Sequence, residues 1–143
     1  MSFTGKWYGN AKKHAFSKRI DWINDEIKVM LIGSGYVPDQ DIHEYLADVS
    51  AHEVSGTGYT AGGAPIGTKT ITYDAVNNRV VFDGLNVQWY PVTVEARYAI
   101  MYDNTDAGKV LIGYLDFGTL RAIQDGVFEI QWHADGIMWI QAE

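Results

Sequence analysis

The sequence has no cysteine and only three prolines among its 143 residues. Without cysteine the chain forms no disulfide, no thiolate metal site and no thiol nucleophile. Long apolar runs are also missing, because the longest aliphatic run, residues 29–32, is far too short to span a membrane. The first residues lack the apolar stretch of a signal peptide. These absences predict a soluble protein that contacts no membrane and is made and used inside a cell.

The composition predicts one folded domain. Apolar residues make up 47% of the chain and charged residues 20%, which argues against intrinsic disorder. A chain of this length buries a single sizeable core.

The charge is unevenly distributed along the chain. Residues 1–19 hold five basic residues and no acidic one, whereas the other six basic and all eighteen acidic residues follow, a net charge of −12. We predict a basic N-terminal arm (residues 1–19) before an acidic domain (residues 20–143). The acidic domain would repel a phosphate backbone, so we expect no nucleic-acid partner. The alternative for the arm is a solvated, partly disordered terminus.

Beyond residue 67 the chain is rich in β-branched and aromatic residues, in short segments separated by turn residues. Residues 75–78 and 103–108 are predicted turns, and residues 134–136 are the predicted tip of a hairpin. Seven or eight short strands at roughly ten-residue spacing predict a β-sandwich or a jelly-roll-like barrel. The predicted fold class is therefore all-β, in a single domain.

One segment has helical periodicity. Pro38 and Asp39 suit the start of a helix, and apolar residues recur three or four positions apart after them. We predict one short helix over about residues 39–49. Residues 53–67 contain five glycines and are predicted to be irregular or edge structure. The predicted anchors of this glycine-rich segment are Val54, Tyr59 and Ile66.

The apolar run that leads into Gly33 and Gly35 raises the possibility of a nucleotide-binding turn. A dinucleotide fingerprint needs a third glycine, but Pro38 occupies its position. A phosphate-binding loop needs a Gly-Lys-Ser/Thr sequence, which is absent. We interpret this segment as a strand that ends in a glycine turn.

Other candidate sites are equally weak. Asp41 and His43 would face different ways on a helix instead of sharing a metal. Residues 103–108 are similar to a calcium loop but lack its distal glutamate. Asp116 and Glu129 would serve as paired glycosidase carboxylates only if they faced each other across strands. We predict no enzyme activity and no metal, nucleotide or other cofactor.

Five segments between about residues 20 and 120 resemble, in the same order, a group of small structural proteins of tailed bacteriophages. They are GSGYVPDQDIHEYLADV, EVSGTGYTAGGAPI, KTITYDAVNNRVVFD, ARYAIMY and LIGYLDFG. The resemblance implies a virion component made in the host bacterial cytoplasm, with a role in capsid decoration (as a cement protein) favoured over a place in the tail. It implies no active-site residues. The implied partners are the major capsid protein or neighbouring virion subunits, with the chain itself a homo-oligomer, either dimer or trimer.

A decoration protein needs adhesive surface, and we expect the basic arm and the glycine-rich segment to extend onto a neighbour. In the arm, aromatic area is interleaved with positive charge, a combination suited to a protein interface. The predicted contact residues are Lys6, Trp7, Tyr8, Lys12, Lys13, Phe16, Lys18 and Arg19. Deletion of residues 1–19 is expected to leave the domain folded. The alternatives are a carbohydrate-binding module with exposed tryptophans and a small β-fold hydrolase.

Overall fold

A computed structural model describes residues 2–142 of the chain. The first residue of the predicted arm, Met1, and the last of the predicted domain, Glu143, lie outside the described residues. The described part contains nine strands and one α-helix, which confirms the all-β, single-domain prediction. These elements are β1 (Ser2–Phe3), β2 (Lys6–Trp7), α1 (Gly9–Phe16), β3 (Ile27–Ile32), β4 (Ala64–Pro65), β5 (Thr70–Asp74), β6 (Arg79–Asp83), β7 (Val87–Asp103), β8 (Leu111–Trp132) and β9 (Met138–Gln141).

The strands form two sheets. The larger sheet has the order β1-β8-β7-β3-β4, with β2 also paired to β8, and the smaller has the order β5-β6-β9. Neighbouring strands are antiparallel except for the short parallel pair of β1 and β8. Leu115 of the larger sheet and Met138 of the smaller one belong to the same buried core. The result is a sandwich-like domain.

The hairpin of β7 and β8 is the centre of the larger sheet. In the first half of β7, buried residues such as Val87, Trp89 and Val94 alternate with exposed ones, as expected for a strand with one solvated face. The sequence predicted seven or eight short strands, whereas β7 and β8 are 17 and 22 residues long. A bulge at Gly118, where φ is 82°, lets β8 continue through a shift of register instead of ending.

The predicted hairpin around residues 134–136 is wrong in its pairing. The chain does turn there, with a bridge between His133 and Gly136. However, β9 then pairs with β6 in the smaller sheet, where Met138 lies opposite Phe82. Local turn residues predict that a chain reverses, but the choice of partner strand depends on burial that the turn does not specify.

The predicted helix over residues 39–49 is also wrong. The segment consists of turns and a single turn of 3₁₀ helix, Leu46–Asp48. Asp39 Oδ1 accepts the backbone N–H groups of Asp41 and Ile42, and Asp48 Oδ2 accepts those of Glu44 and Tyr45. These side-chain acceptors replace the carbonyl partners that a helix would supply.

The single α-helix of the described residues lies instead near the N-terminus, where an extended arm was predicted. Residues 2–16 form β1, β2 and α1, and Tyr8 and Ala11 are fully buried. The helical sequence GNAKKHAF contains no β-branched residue, which favours a helix. The extended-arm prediction is wrong because it assigned the aromatic residues among these charges to contact with a partner protein. Tyr8 is instead buried in the protein's own fold, where one face of the helix packs against the sheet.

The glycine-rich segment lies on the protein's own strands. Val54, Tyr59 and Ile66 anchor it in the core, as predicted. A methyl group added to Gly56 or Gly58 would overlap the carbonyl groups of β7, and one added to Gly63 would overlap that of Val29 in β3. Glycine is therefore required for close backbone approach, but to this chain and not to a neighbour.

Candidate protein-interaction surface

The exposed side of α1 is a basic surface with an aromatic side chain at the last residue of the helix. Lys12, Lys13 and Phe16 are exposed, and their three- and four-residue spacing places them side by side. Phe16 has 89% of its surface exposed. Lys6 and Lys18 are also exposed and lie before and after the helix. We call these five residues the helix surface.

The opposite side of α1 fixes this surface to the sandwich. The hydroxyl groups of Tyr8 and Tyr36 share a hydrogen bond of 2.7 Å, and burial raises the pKa of Tyr8 above its ordinary value. Ala11 is fully buried one turn later. His14, which is also buried, lies 2.6 Å from a carboxylate oxygen of Glu44. The helix surface is therefore held by packing on a rigid scaffold.

Glu44 neutralises part of the positive charge. Its carboxylate lies 2.6 Å from His14 Nε2 and 3.5 Å from Lys13 Nζ. Burial acts to raise the pKa of Glu44, but the hydrogen bond with His14 and the charge of Lys13 hold it below its ordinary value. Lys13 is therefore partly paired within the chain, in contrast to Lys12.

The helix ends in a motif that turns Lys18 outward. The N–H of Lys18 donates to the carbonyl of Ala15, and that of Arg19 donates to the carbonyl of His14. This pattern is a Schellman motif, in which Lys18 takes the left-handed conformation with φ of 67°. Arg19 then turns back to the body, where its guanidinium donates two hydrogen bonds to Asp106.

The structure separates the eight predicted contact residues into two groups. Lys6, Lys12, Lys13, Phe16 and Lys18 are exposed, as a contact role requires. The other three are structural. Trp7 is half-buried and donates its indole N–H to the carbonyl of Trp139, Tyr8 is buried, and Arg19 is paired with Asp106.

A cavity of about 200 Å³ lies between α1 and the smaller sheet. Its lining is wholly apolar or aromatic: Trp7, Ala15, Ile20, Trp22, Ile71, Phe82, Ile112 and Ile140. Of these residues, Ala15 on α1 and Ile71 on β5 are exposed, so the cavity opens between these two elements. Sequence reasoning missed it, because its walls come from distant parts of the chain and share no local pattern.

A second cavity, of about 430 Å³, lies beside Arg121. The Arg121 guanidinium carbon lies 4.4 Å from the ring centroid of Phe128 and 5.0 Å from that of Phe117. Burial lowers the pKa of Arg121, and its Nη1 atom is buried with no hydrogen-bond partner in residues 2–142. The protein covers that nitrogen, so it is not available to bind a ligand. We therefore assign Arg121 a packing role, in which its planar guanidinium stacks on aromatic rings.

The residues considered for catalysis or metal binding are not brought together. Asp116 lies opposite Tyr98 and pairs with Arg97, whereas Glu129 lies opposite Gln88, at the other end of β7. His43 Nδ1 is 2.8 Å from the Tyr36 hydroxyl. Among residues 2–142 no group of three or more acidic or histidine side chains has the arrangement of a metal site.

Asp103 is a buried acid at the end of β7. One carboxylate oxygen accepts the backbone N–H groups of Thr105 and Asp106, while the other is buried, with the side chain of Asp25 as its acidic neighbour. Burial, reinforced by the neighbouring acid Asp25, raises the pKa of Asp103 to about 7. The folded protein therefore favours the protonated form of Asp103.

This acid should make the protein less stable as the pH rises. Between the pKa of an unfolded aspartate and about 7, the folded state binds more protons than the unfolded state, so the unfolding free energy falls across that range. Asp103→Asn keeps the acceptor and removes the charge. We expect it to raise stability by about 1 to 3 kcal/mol at pH 8 and to change little at pH 4. Urea unfolding at both pH values measures this, and an equal effect at both would contradict it.

Comparison of the chain with protein families, with curated proteins and with solved structures finds no match. No helix within residues 2–142 has the length and apolar character needed to cross a membrane. The helix surface and the adjoining cavity are therefore the features on which a functional proposal rests.

Proposed function

We propose that this protein is a non-enzymatic structural subunit of a bacteriophage virion that decorates the capsid by protein–protein contact. The observation that carries the proposal is Phe16, an almost fully exposed aromatic side chain at the end of a packed helix, where Lys12 and Lys13 adjoin it. An aromatic centre with a charged rim is the usual composition of a protein-binding site. The sequence resemblance to small virion proteins supplies the kind of partner, the major capsid protein or a neighbouring virion subunit.

Charge favours an acidic partner. The helix surface carries four lysines, and only Lys13 has a carboxylate of its own chain within 4 Å among the described residues. The remainder of the chain has a large negative charge. An acidic patch on a shell protein fits this surface, and so does the acidic body of an adjacent copy in a dimer or trimer.

The alternative of a carbohydrate-binding module lacks the exposed tryptophans it needs. Trp22, Trp89 and Trp132 are buried, and Trp7 and Trp139 are half-buried. The exposed aromatic side chains Tyr73 and Tyr90 lie on different sheets and form no common platform. The alternative of a tail protein uses the same surface and differs from the capsid proposal only in the partner that the surface binds.

Docking to virions assembled without this protein tests the proposal. Wild-type protein should co-sediment with these particles, and the binding should weaken with salt, because exposed ion pairs are screened. Phe16→Ala should weaken binding by about tenfold or more, as loss of a central aromatic contact does. The matched control is Val76→Ala, since Val76 has 90% exposure but lies far along the chain, in the turn between β5 and β6.

Charge reversal completes the test. Lys12→Glu combined with Lys18→Glu should weaken docking and reduce its salt dependence. Wild-type protein that fails to bind the particles, or a Phe16→Ala variant that binds as tightly as Val76→Ala, would contradict the proposal. Imaging of the decorated particle distinguishes capsid from tail, and light scattering of the free protein gives its oligomeric state.

A further inference from the structure

The exposed edge of the smaller sheet lies beside the mouth of the apolar cavity. Strand β5 pairs only with β6 among the described residues, so its other edge offers unpaired backbone N–H and C=O groups. Its residues Thr70, Ile71, Thr72 and Tyr73 are all exposed. Edge strands are usually protected by charge, proline or a bulge. Here the sole charged residue, Asp74, is at the end of the strand and is paired with Arg79 at 3.2 Å.

The cavity provides a place for one side chain of a bound segment. Its mouth lies between Ile71, on the edge strand itself, and Ala15, on α1. An apolar cavity of about 150 Å³ is large enough for a benzene molecule. The cavity of about 200 Å³ therefore admits an aliphatic or aromatic side chain. Strand addition obtains affinity from main-chain hydrogen bonds and specificity from pockets for alternate side chains.

Positive charge lies at the same opening. Lys12 Nζ is 5.9 Å from the ring centroid of Trp7, which forms part of the cavity wall. Lys18 follows the end of the helix three residues after Ala15. A segment that entered the cavity would therefore pass Lys12, and an acidic residue next to its apolar side chain would be favoured.

We propose that the free edge of β5 binds an extended acidic segment of a partner protein, which adds a strand to the sheet and inserts one apolar side chain into the cavity. The proposal rests on the proposed docking function and specifies its partner: the helix surface supplies the charged rim, and β5 supplies the backbone contacts. A second copy of this chain is the competing occupant, because two β5 edges also pair with each other in principle.

Two pools of nine-residue peptides test the proposal without the virion. Both pools have aspartate or glutamate at the positions flanking the centre and random residues elsewhere. The central residue is leucine or phenylalanine in the first pool and serine in the second. Backbone amide NMR shifts of the full-length protein report where each pool binds. We expect the first pool to shift the amides of residues 70–74 and the indole signal of Trp7, and the second to bind at least tenfold more weakly.

Filling the cavity mouth provides the matched variant. Ala15→Leu places a larger side chain at the opening and keeps a strong helix former, so the fold should be retained. It should weaken binding of the first pool at least tenfold, whereas Ala75→Leu, at an exposed turn position, should not. Any of three results would overturn the proposal: the two pools bind equally well, neither pool binds, or Ala15→Leu leaves the binding of the first pool unchanged. If the amide NMR shifts of β5 change with protein concentration in the absence of peptide, the edge pairs with a second copy of this chain. That result would also overturn the proposal.

The particle experiment separates this inference from the proposed function. One outcome is that neither peptide pool binds, that wild-type protein still docks on virions and that the Phe16→Ala variant does not dock. The helix surface would then bind the virion without strand addition. If the particles fail to bind while the first peptide pool binds at β5, the site exists but its partner is not the virion.

Discussion

Replacing Gly63 with alanine is expected to remove much of the folding stability of this protein. Gly63 has a φ of 84°, in the region that favours glycine, and an added methyl group would overlap the carbonyl of Val29 in β3. The conformation alone costs about 1 to 2 kcal/mol in other residues. Overpacking adds about 1 to 3 kcal/mol, and more where backbone must move. A loss of about 3 kcal/mol or more is a large part of the stability of an ordinary domain.

Two other glycines separate the contributions to this loss. Gly118 has a φ of 82° but open space around it, so Gly118→Ala should cost only the conformational part, about 1 kcal/mol. Gly67 has no left-handed conformation and would bring its methyl to 3.5 Å from a side-chain carbon of Leu85, so Gly67→Ala should be close to neutral. Urea unfolding of the three variants gives the comparison. Equal losses at Gly63 and Gly118 would show that the strand contact contributes nothing.

The general fold was predictable because the sequence repeats its strand pattern many times. Alternation in segments such as β7 identifies one buried and one exposed face regardless of what each strand pairs with. Strand length was not predictable. Gly118 and the register shift near it join two predicted strands into β8, and a glycine in a sequence indicates a turn as readily as a bulge.

The sequence prediction placed the helix at the wrong residues for a related reason. Residues 39–49 have helical spacing, but Asp39 and Asp48 supply local acceptors that compete with the helix, and Leu46 donates its N–H to the carbonyl of Lys109 instead. The true helix is short, and its buried residues include alanine and histidine, which carry a weak apolar signal. Its lack of β-branched residues and the three-residue spacing of Tyr8, Ala11 and His14 were the available signals.

The helix surface was partly predictable from charge. The excess of lysine before residue 20 identified a basic surface, and the exposed lysines and Phe16 agree with that prediction. The charge pattern did not distinguish exposed from buried aromatic residues. Tyr8 and Phe16 both lie among basic residues in the sequence, and only their tertiary neighbours differ. The cavity and the free edge of β5 depend on which strands pair, and that information is not local.

Deletion of residues 1–19 is expected to unfold the protein, contrary to the behaviour of a dispensable arm. The deletion removes β1 and β2, which pair with β8, together with the buried side chains of Tyr8 and Ala11. It would also expose Ile112 and Tyr114, which lie beneath this segment. Burial of one large side chain is worth about 1.5 to 3 kcal/mol. Several such losses together approach the total stability of a domain of this size.

Single substitutions at Tyr8 and Phe16 test the same point without removing main chain. Tyr8→Ala leaves a cavity in the core and should cost about 3 to 5 kcal/mol. Tyr8→Phe keeps the ring and loses the hydrogen bond to Tyr36, and should cost about 1 kcal/mol. Phe16→Ala, in the same segment but exposed, should leave the unfolding free energy nearly unchanged.

Urea unfolding followed by tryptophan fluorescence measures the stability of all three variants, and circular dichroism reports the fold of the deletion variant. A deletion variant with a native β spectrum and a cooperative transition, or a Tyr8→Ala variant as stable as Phe16→Ala, would mean that the N-terminal segment contributes little to the fold.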